Sequence, residues 1–196
     1  MEVVPEFRPW PKLSRWSRDV IITEKIDGTN ACVIIRKVDE TTTEFVGCQS
    51  RSKLITPDDD NYGFAKWAYS NGKFLAHVLG EGHHYGEWWG QGIQRNYGMK
   101  KKKFSLFNST RWKDLLNINS VEKMEISDIG LDVVPVLWEG SMDEAHLRMQ
   151  IVMQDLEQKG SVASAGYMNP EGIVLFHSAA GTLFKKTFEN DEKGKG

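Results

Sequence analysis

The chain has 196 residues, 25 Lys and Arg against 27 Asp and Glu for a net charge of −2, and 40% hydrophobic content that includes seven tryptophans. That is enough apolar mass for one well-buried core and short for two. It excludes an intrinsically disordered chain, and near-neutral charge excludes a uniformly basic nucleic-acid-binding domain. The only cysteines, Cys32 and Cys48, lie in β-like runs, which excludes both a disulfide framework and a clustered-thiolate zinc site.

No segment approaches the length needed to span a bilayer, and the first twelve residues carry no signal-like apolar stretch, so a cytoplasmic monomer with no membrane association is expected. In chain order, Val- and Ile-rich runs predict strands over 20–26 and 31–37. Between them lies "EKIDGTN" (24–30), in which Asp27-Gly28 flanked by β-formers is a hairpin turn signal. A strand over 44–50 leads to the acidic turn "PDDDN" (57–61) and a short helix over 62–71 closed by Gly72. Strands over 83–89 and 104–108 flank the basic run "MKKKKF" (99–104), which by itself reads as a solvated loop face.

After a strand over 131–138 comes the clearest helix. Ser141 and Glu144 form a capping box, Met142, Ala145, Met149, Val152 and Leu156 share one face, and Gly160 ends it. That stripe is core packing, not a cofactor contact. Strands over 172–177 and 182–188 complete an α+β fold of largely antiparallel sheets with packed helices, expected as one domain over 1–190 with a charged tail over 191–196.

Lys25 sits beside the Asp27-Gly28 turn and is either a strand-end lysine or a nucleophile. A free lysine, with a pKa of about 10.4, is neutral in only about one molecule in 2,500 at pH 7, so a nucleophilic one needs neighbouring cations. Lys185 and Lys186 would push toward the neutral amine; Asp27 and Glu24 would pull the other way. If 85–89 is a strand, Tyr85, Glu87 and Trp89 share a face. A carboxylate between two aromatics makes a poor core and needs water, a partner or a ligand hydroxyl such as a ribose. Glu171 precedes the apolar run "GIVLF"; as a strand residue it would share a face with Ile173, Leu175 and His177, where a hard oxygen ligand could hold magnesium on a triphosphate. His83, His84 and His177 lack a metal spacing.

With "SRSKL" (50–54), "YGEWWGQGIQ" (85–94), "KFSLFN" (103–108), "PEGIVLF" (170–176) and "TLFKKTF" (182–188) following Lys25 in order, the chain resembles the ATP-dependent RNA ligases of the T4-phage double-strand repair type, within the covalent nucleotidyltransferase superfamily. The resemblance implies an adenylyltransferase domain, ATP as substrate, Mg2+ or Mn2+ as cofactor, RNA as partner, and a lysyl-AMP on Lys25 that passes to a 5′-phosphate before a 3′-hydroxyl displaces AMP. It implies a nucleotide site of Glu24, Lys25, Arg51, Glu87, Phe104, Lys185 and Lys186, with Lys25 and Lys185 catalytic, Glu87 on the ribose, Phe104 stacked on adenine and Glu171 metal-associated. Asn30, Arg51, Lys53, Arg95 and Lys101 are the implied nucleic-acid contacts.

Two departures stand out. Relatives show two lysines two residues apart on the last strand, whereas here they are adjacent and Thr187 takes the second position, so Lys185 belongs in the site and Lys186 on the other face. Relatives also carry an extra C-terminal domain, so this chain is either a minimal ligase or the catalytic part of one. A DNA ligase, a GTP-using capping guanylyltransferase and a decayed nucleic-acid-binding module are the competing readings.

Overall fold

The computed structural model of the chain describes residues 6–115, 120–189 and 191. Apart from residue 191, the tail over 191–196 lies outside the described residues. The strands are β1 (Asp19–Lys25), β2 (Thr29–Lys37), β3 (Thr43–Ser50), β4 (Leu54–Ile55), β5 (Gly82–Gly90), β6 (Lys102–Leu106), β7 (Leu131–Val133), β8 (Val136–Ser141), β9 (Gly172–His177) and β10 (Thr182–Thr187). The helices are α1 (Phe64–Ser70), α2 (Gly72–Leu79), α3 (Ser109–Trp112), α4 (Ser120–Ile129) and α5 (Met142–Lys159). This is an α+β fold in which every strand pairing is antiparallel except β6 with β7.

The strands form two sheets, a four-stranded one ordered β10-β9-β1-β8 and a six-stranded one ordered β4-β3-β2-β5-β6-β7. Each buries one face under helices. On the four-stranded sheet, Val20, Ile22, Ile173 and Leu175 pack against Ala145, Val152, Met153 and Leu156 of α5. On the six-stranded sheet, Val33, Trp88, Phe104 and Leu106 pack against Phe64, Ala68, Leu75 and Ile126 from the helices. Both are the period-two pattern of strands meeting the wider apolar stripe of a helix. The faces turned away from the helices carry Lys25 on one sheet and Glu87 on the other, joined by a third cluster of Ile26, Trp89, Tyr97 and Val134.

The Asp27-Gly28 hairpin is not what the chain makes. β1 pairs with β8 and β9, and β2 pairs with β3 and β5, so residues 26–28 carry the chain from one sheet to the other. Gly28 has no left-handed backbone; what it supplies is space. A Cβ there would lie 2.7 Å from Trp89 Cβ and overlap the Trp88 carbonyl oxygen, so the crossover is pressed directly on β5. The expected strand over 131–138 likewise divides, into β7 of the six-stranded sheet and β8 of the four-stranded one, with Pro135 between them. Its carbonyl accepts from the Glu24 N–H at 3.0 Å, pinning this second crossover beside the first.

Among the helices, Gly72 opens α2 where it was expected to close α1, because a Cβ there would lie 2.8 Å from the Phe45 ring and only glycine lets the helix approach β3. Asp60 accepts from the Ala65 and Lys66 N–H groups at 2.7 and 3.2 Å, the N-terminal role expected of the acidic turn. Ser141 Oγ accepts from the Asp143 N–H at 3.3 Å, and Glu144 instead of completing the capping box pairs with Arg148. Helices α2, α3 and α4 were not anticipated.

Candidate active site

The end of β1 and the kink before β9 meet at Lys25. Its Nζ lies 2.6 Å from Glu171 Oε2, both side chains being partly buried. Gly172, with φ at +149°, makes this possible: it stands in register with Lys25, and its left-handed backbone turns Glu171 out of the strand. Glu171 therefore does not share a face with Ile173 and Leu175, which lie under α5; the strand's alternation stops one residue short of it.

Glu87 arrives from the other sheet. It is only 7% exposed, and both carboxylate oxygens are used: Oε1 accepts from the Gly28 N–H and Oε2 from the Asn30 amide, each at 3.0 Å. Burial pushes its pKa up to about 7; Lys25 and the Gly28 N–H oppose the rise, and the nearby carboxylates of Glu171 and Asp27 add to it. The crossover is braced from beneath by Tyr97, whose hydroxyl accepts from the Asp27 N–H at 3.1 Å and whose ring packs on Trp89 and Tyr167. Tyr97 holds φ at +48°, a strained geometry for a bulky residue, kept by these contacts.

On β10, alternation sorts the two lysines. The Thr187, Gly172 and Lys25 positions form one cross-strand row and Lys185, Val174 and Thr23 the next but one, so Lys185 shares the face of Lys25, two strands across and two residues along, or about 12 Å away. Lys186 aligns with Ile173 and Glu24 on the α5 face and pairs with Asp191 at 3.3 Å. Thr187, in the row of Lys25, is buried and donates its hydroxyl to the Glu189 carbonyl.

Several expected contacts are placed elsewhere. Phe104 is fully buried on the helix side, its ring 5.0 Å from Phe64, and cannot stack on a base at Glu87. Phe107 is the aromatic on the Glu87 side: its N–H donates to the Tyr85 carbonyl, which extends the β5–β6 ladder so that it falls opposite exposed Tyr85, two residues beyond the Glu87–Ser105 pair. "FSLF" contains two phenylalanines three apart, on opposite faces, and only the strand register distinguishes them. Glu24 is buried with its carboxylate consumed by Ser161 Oγ at 2.6 Å and the Val162 and Ala163 N–H groups at 2.8 and 2.9 Å, on the face opposite Lys25. It anchors the loop after α5, and burial still raises its pKa despite those donors.

The expected nucleic-acid cations divide too. Arg95 is tied to Asp27 at 3.1 Å and Glu189 at 3.4 Å, and Lys53 to Asp59 at 2.6 Å, so both charges are already matched by the fold. Arg51 follows Ser50, the partner of Ala31, which brings it alongside Asn30; Arg51 and exposed Lys101 form no ion pair among the described residues. Within the basic run, Lys102 donates to the Tyr62 carbonyl and Lys103 pairs with Asp132. Histidines stay structural: His84 Nε2 bonds the Gly80 carbonyl, and His177 takes the Ala180 N–H on Nδ1 while Nε2 bonds the Trp16 carbonyl.

No three His, Cys, Asp or Glu side chains gather as a metal cage among the described residues. One or two carboxylates beside Lys25 suit instead a hydrated Mg2+ or Mn2+ that completes its shell with substrate phosphates. Among the described residues no helix is long and apolar enough to cross a membrane.

Lys25, Glu87 and Glu171 meet at the junction of the two sheets, and the α+β architecture that brings them there matches solved structures of the ligase nucleotidyltransferase type. The RNA ligase of Naegleria gruberi, in a variant solved with ATP and manganese, is 19% identical with a TM-score of 0.60, covering 92% of this chain and 53% of that one. A variant with AMP and manganese is 19% identical with a TM-score of 0.60, covering 88% and 50%, and the enzyme with pyrophosphate is 18% identical with a TM-score of 0.56, covering 87% and 49%. The chain thus spans about half the length of these ligases. Comparison with curated proteins finds no match. The profile of the RNA ligase family matches residues 18–187, and the chain belongs to that family.

Proposed function

We propose that this chain is the adenylyltransferase part of an ATP-dependent RNA ligase of the T4-phage double-strand repair type, with Lys25 as its nucleophile. The observation that carries the reading is the convergence of Lys25 of β1, Glu87 of β5 and Glu171 from the turn ahead of β9, with the face of Lys25 extended by Lys185. Lys25 Nζ attacks the α-phosphorus of ATP; the N–P bond forms, the bond to the bridging oxygen breaks and pyrophosphate leaves. The amine sheds a proton on the way, and Glu171, 2.6 Å away, is placed to accept it. Adenylate then passes to an RNA 5′-phosphate, and a 3′-hydroxyl displaces AMP.

Glu87, held by Gly28 and Asn30, lies where a ribose hydroxyl can replace one of its donors. Phe107 and Tyr85 supply exposed rings on the same side for the base. Lys185 and Arg51 supply charge for phosphates. A divalent ion carried on the triphosphate, when bound, neutralises the leaving pyrophosphate, and Glu171 is the residue that would hold it.

The test is incubation with α-labelled ATP and Mg2+ or Mn2+. The wild-type chain should become covalently labelled, Lys25→Ala should not, and GTP should not substitute. An unlabelled wild-type protein overturns the reading. Sealing of nicked RNA against nicked DNA then separates an RNA ligase from a DNA ligase.

A further inference from the structure

Four large apolar side chains ahead of β1 are left in water. Phe7, Trp10, Leu13 and Trp16 are 84%, 88%, 89% and 65% exposed. Single exposed apolar residues are ordinary on a protein surface, but three aromatic rings and a leucine at strict three-residue spacing are not. The same segment holds Arg8, Lys12, Arg15 and Arg18 against one acid, Glu6, in a chain whose overall charge is −2. Positive charge is therefore concentrated here. Arg8 pairs with Glu6 at 3.5 Å; Lys12, Arg15 and Arg18 form no ion pair among the described residues.

Pro9 and Pro11 favour polyproline II backbone, in which three residues make one turn. That period puts Phe7, Trp10, Leu13 and Trp16 on one edge and Lys12, Arg15 and Arg18 on the next. Among the described residues the segment is fastened only at its C-terminal end. Ser14 Oγ donates to the Ala179 carbonyl at 3.2 Å, Ser17 Oγ to Asp143 Oδ1 at 3.1 Å, and the Arg18 carbonyl accepts from the Met142 N–H at 3.0 Å. These anchors stand at the Val20–His177 end of the four-stranded sheet, about 17 Å along β1 from Lys25. The family match begins only at residue 18, so all of the arm before Arg18 lies outside it.

We infer that residues 6–18 form an arm that grips a single-stranded stretch of the polynucleotide substrate, stacking bases on Phe7, Trp10 and Trp16 and meeting phosphates with Lys12, Arg15 and Arg18. A strand of bases presents π-faces and a phosphate at regular intervals, which matches an arm with rings on one edge and cations on the next. An apolar protein groove would match the rings and leave the cations without a partner. The inference builds on the ligase reading and adds a site far from the nucleophile.

The test measures fluorescence anisotropy of a 5′-fluorescein-labelled 15-nucleotide single-stranded RNA with the full chain. Phe7→Ala/Trp10→Ala should weaken binding at least about 25-fold, because stacking on each ring contributes about a fivefold or greater factor. Trp10→Tyr should restore most of the affinity. Lys12→Gln/Arg15→Gln should lower the slope of log affinity against log salt by about 1.4, at about 0.7 per phosphate contact. These side chains touch nothing in the sheets, so melting temperature and covalent labelling by ATP should stay at wild-type values.

Affinity and salt slope unchanged in both double variants overturn the arm, as does a Trp10-dependent dimer in sedimentation with RNA affinity unchanged. A wild-type chain that binds RNA through the arm but takes no label from ATP overturns the ligase reading and leaves the arm standing.

Discussion

Glu171 Oε2 meets Lys25 Nζ at 2.6 Å although 146 residues separate them in the chain. The contact exists because Gly172 stands in register with Lys25 and turns the chain just as β9 begins. A Cβ at Gly172 would meet Thr187 Cα at 2.8 Å and overlap the Lys186 carbonyl oxygen, so β10 leaves no room for a side chain there. The last strand, Glu171 and Lys25 are thus set by one backbone position.

Glu87 gives a pH signature. Its pKa rises on folding from 4.5 to about 7, so the native state keeps a proton that the unfolded chain has lost. Stability from this group is fully present below pH 4.5 and declines as pH rises toward 7, by about 3 kcal/mol at about 1.4 kcal/mol per unit. Denaturation midpoints should fall for the wild type across that window and much less for Glu87→Gln. If both fall equally, the proton is held elsewhere.

The pressed crossover predicts a penalty at Gly28. Alanine there meets Trp89 Cβ at 2.7 Å as well as the Trp88 carbonyl, and β5 must shift. Urea denaturation should show a loss of about 1–3 kcal/mol, together with slower labelling by ATP, because the Gly28 N–H that positions Glu87 moves with it. A stability equal to wild type would mean the crossover is loosely packed.

Phe104 and Phe107 should separate stability from binding. Phe104→Ala opens the aromatic cluster with Phe64, Trp67 and Trp88 and should cost about 3–5 kcal/mol. Phe107→Ala removes an exposed ring, should stay within about 0.5 kcal/mol of wild type, and should raise the ATP concentration for half-maximal labelling about tenfold. Equal ATP dependence of Phe107→Ala and wild type would remove Phe107 from the base site.

The paired lysines of β10 make the fourth case. Lys185→Ala should slow labelling about 100-fold, the size of a lost charge-stabilising donor. Lys186→Ala, on the α5 face and paired with Asp191, should change it less than threefold. The reverse order would mean that β10 is out of the register observed.

Much was legible locally. Strand candidates at 20–26, 31–37, 83–89 and 172–177 coincide with β1, β2, β5 and β9 to within two residues, because a run of β-branched residues bounded by Gly, Asp or Pro carries its own signal. The helix after Ser141 lies where its apolar stripe and its Gly160 end put it. Lys25, Glu87 and Glu171 could be singled out as residues in need of partners. The sorting of Lys185 from Lys186 needed only alternation.

What one chain of letters determined, then, was which residues are strand, which are helix, and which charges sit awkwardly within them. Tertiary structure alone decided which strands pair and which face of each is covered. Asp27-Gly28 reads as a hairpin by itself and becomes a crossover because β1 finds β8 and β9 and β2 finds β5. Phe104 faces the helices and Phe107 the Glu87 side because of a register in which one step reverses every side chain, and Glu24 and Arg95 are spent on the fold by neighbours dozens of residues away.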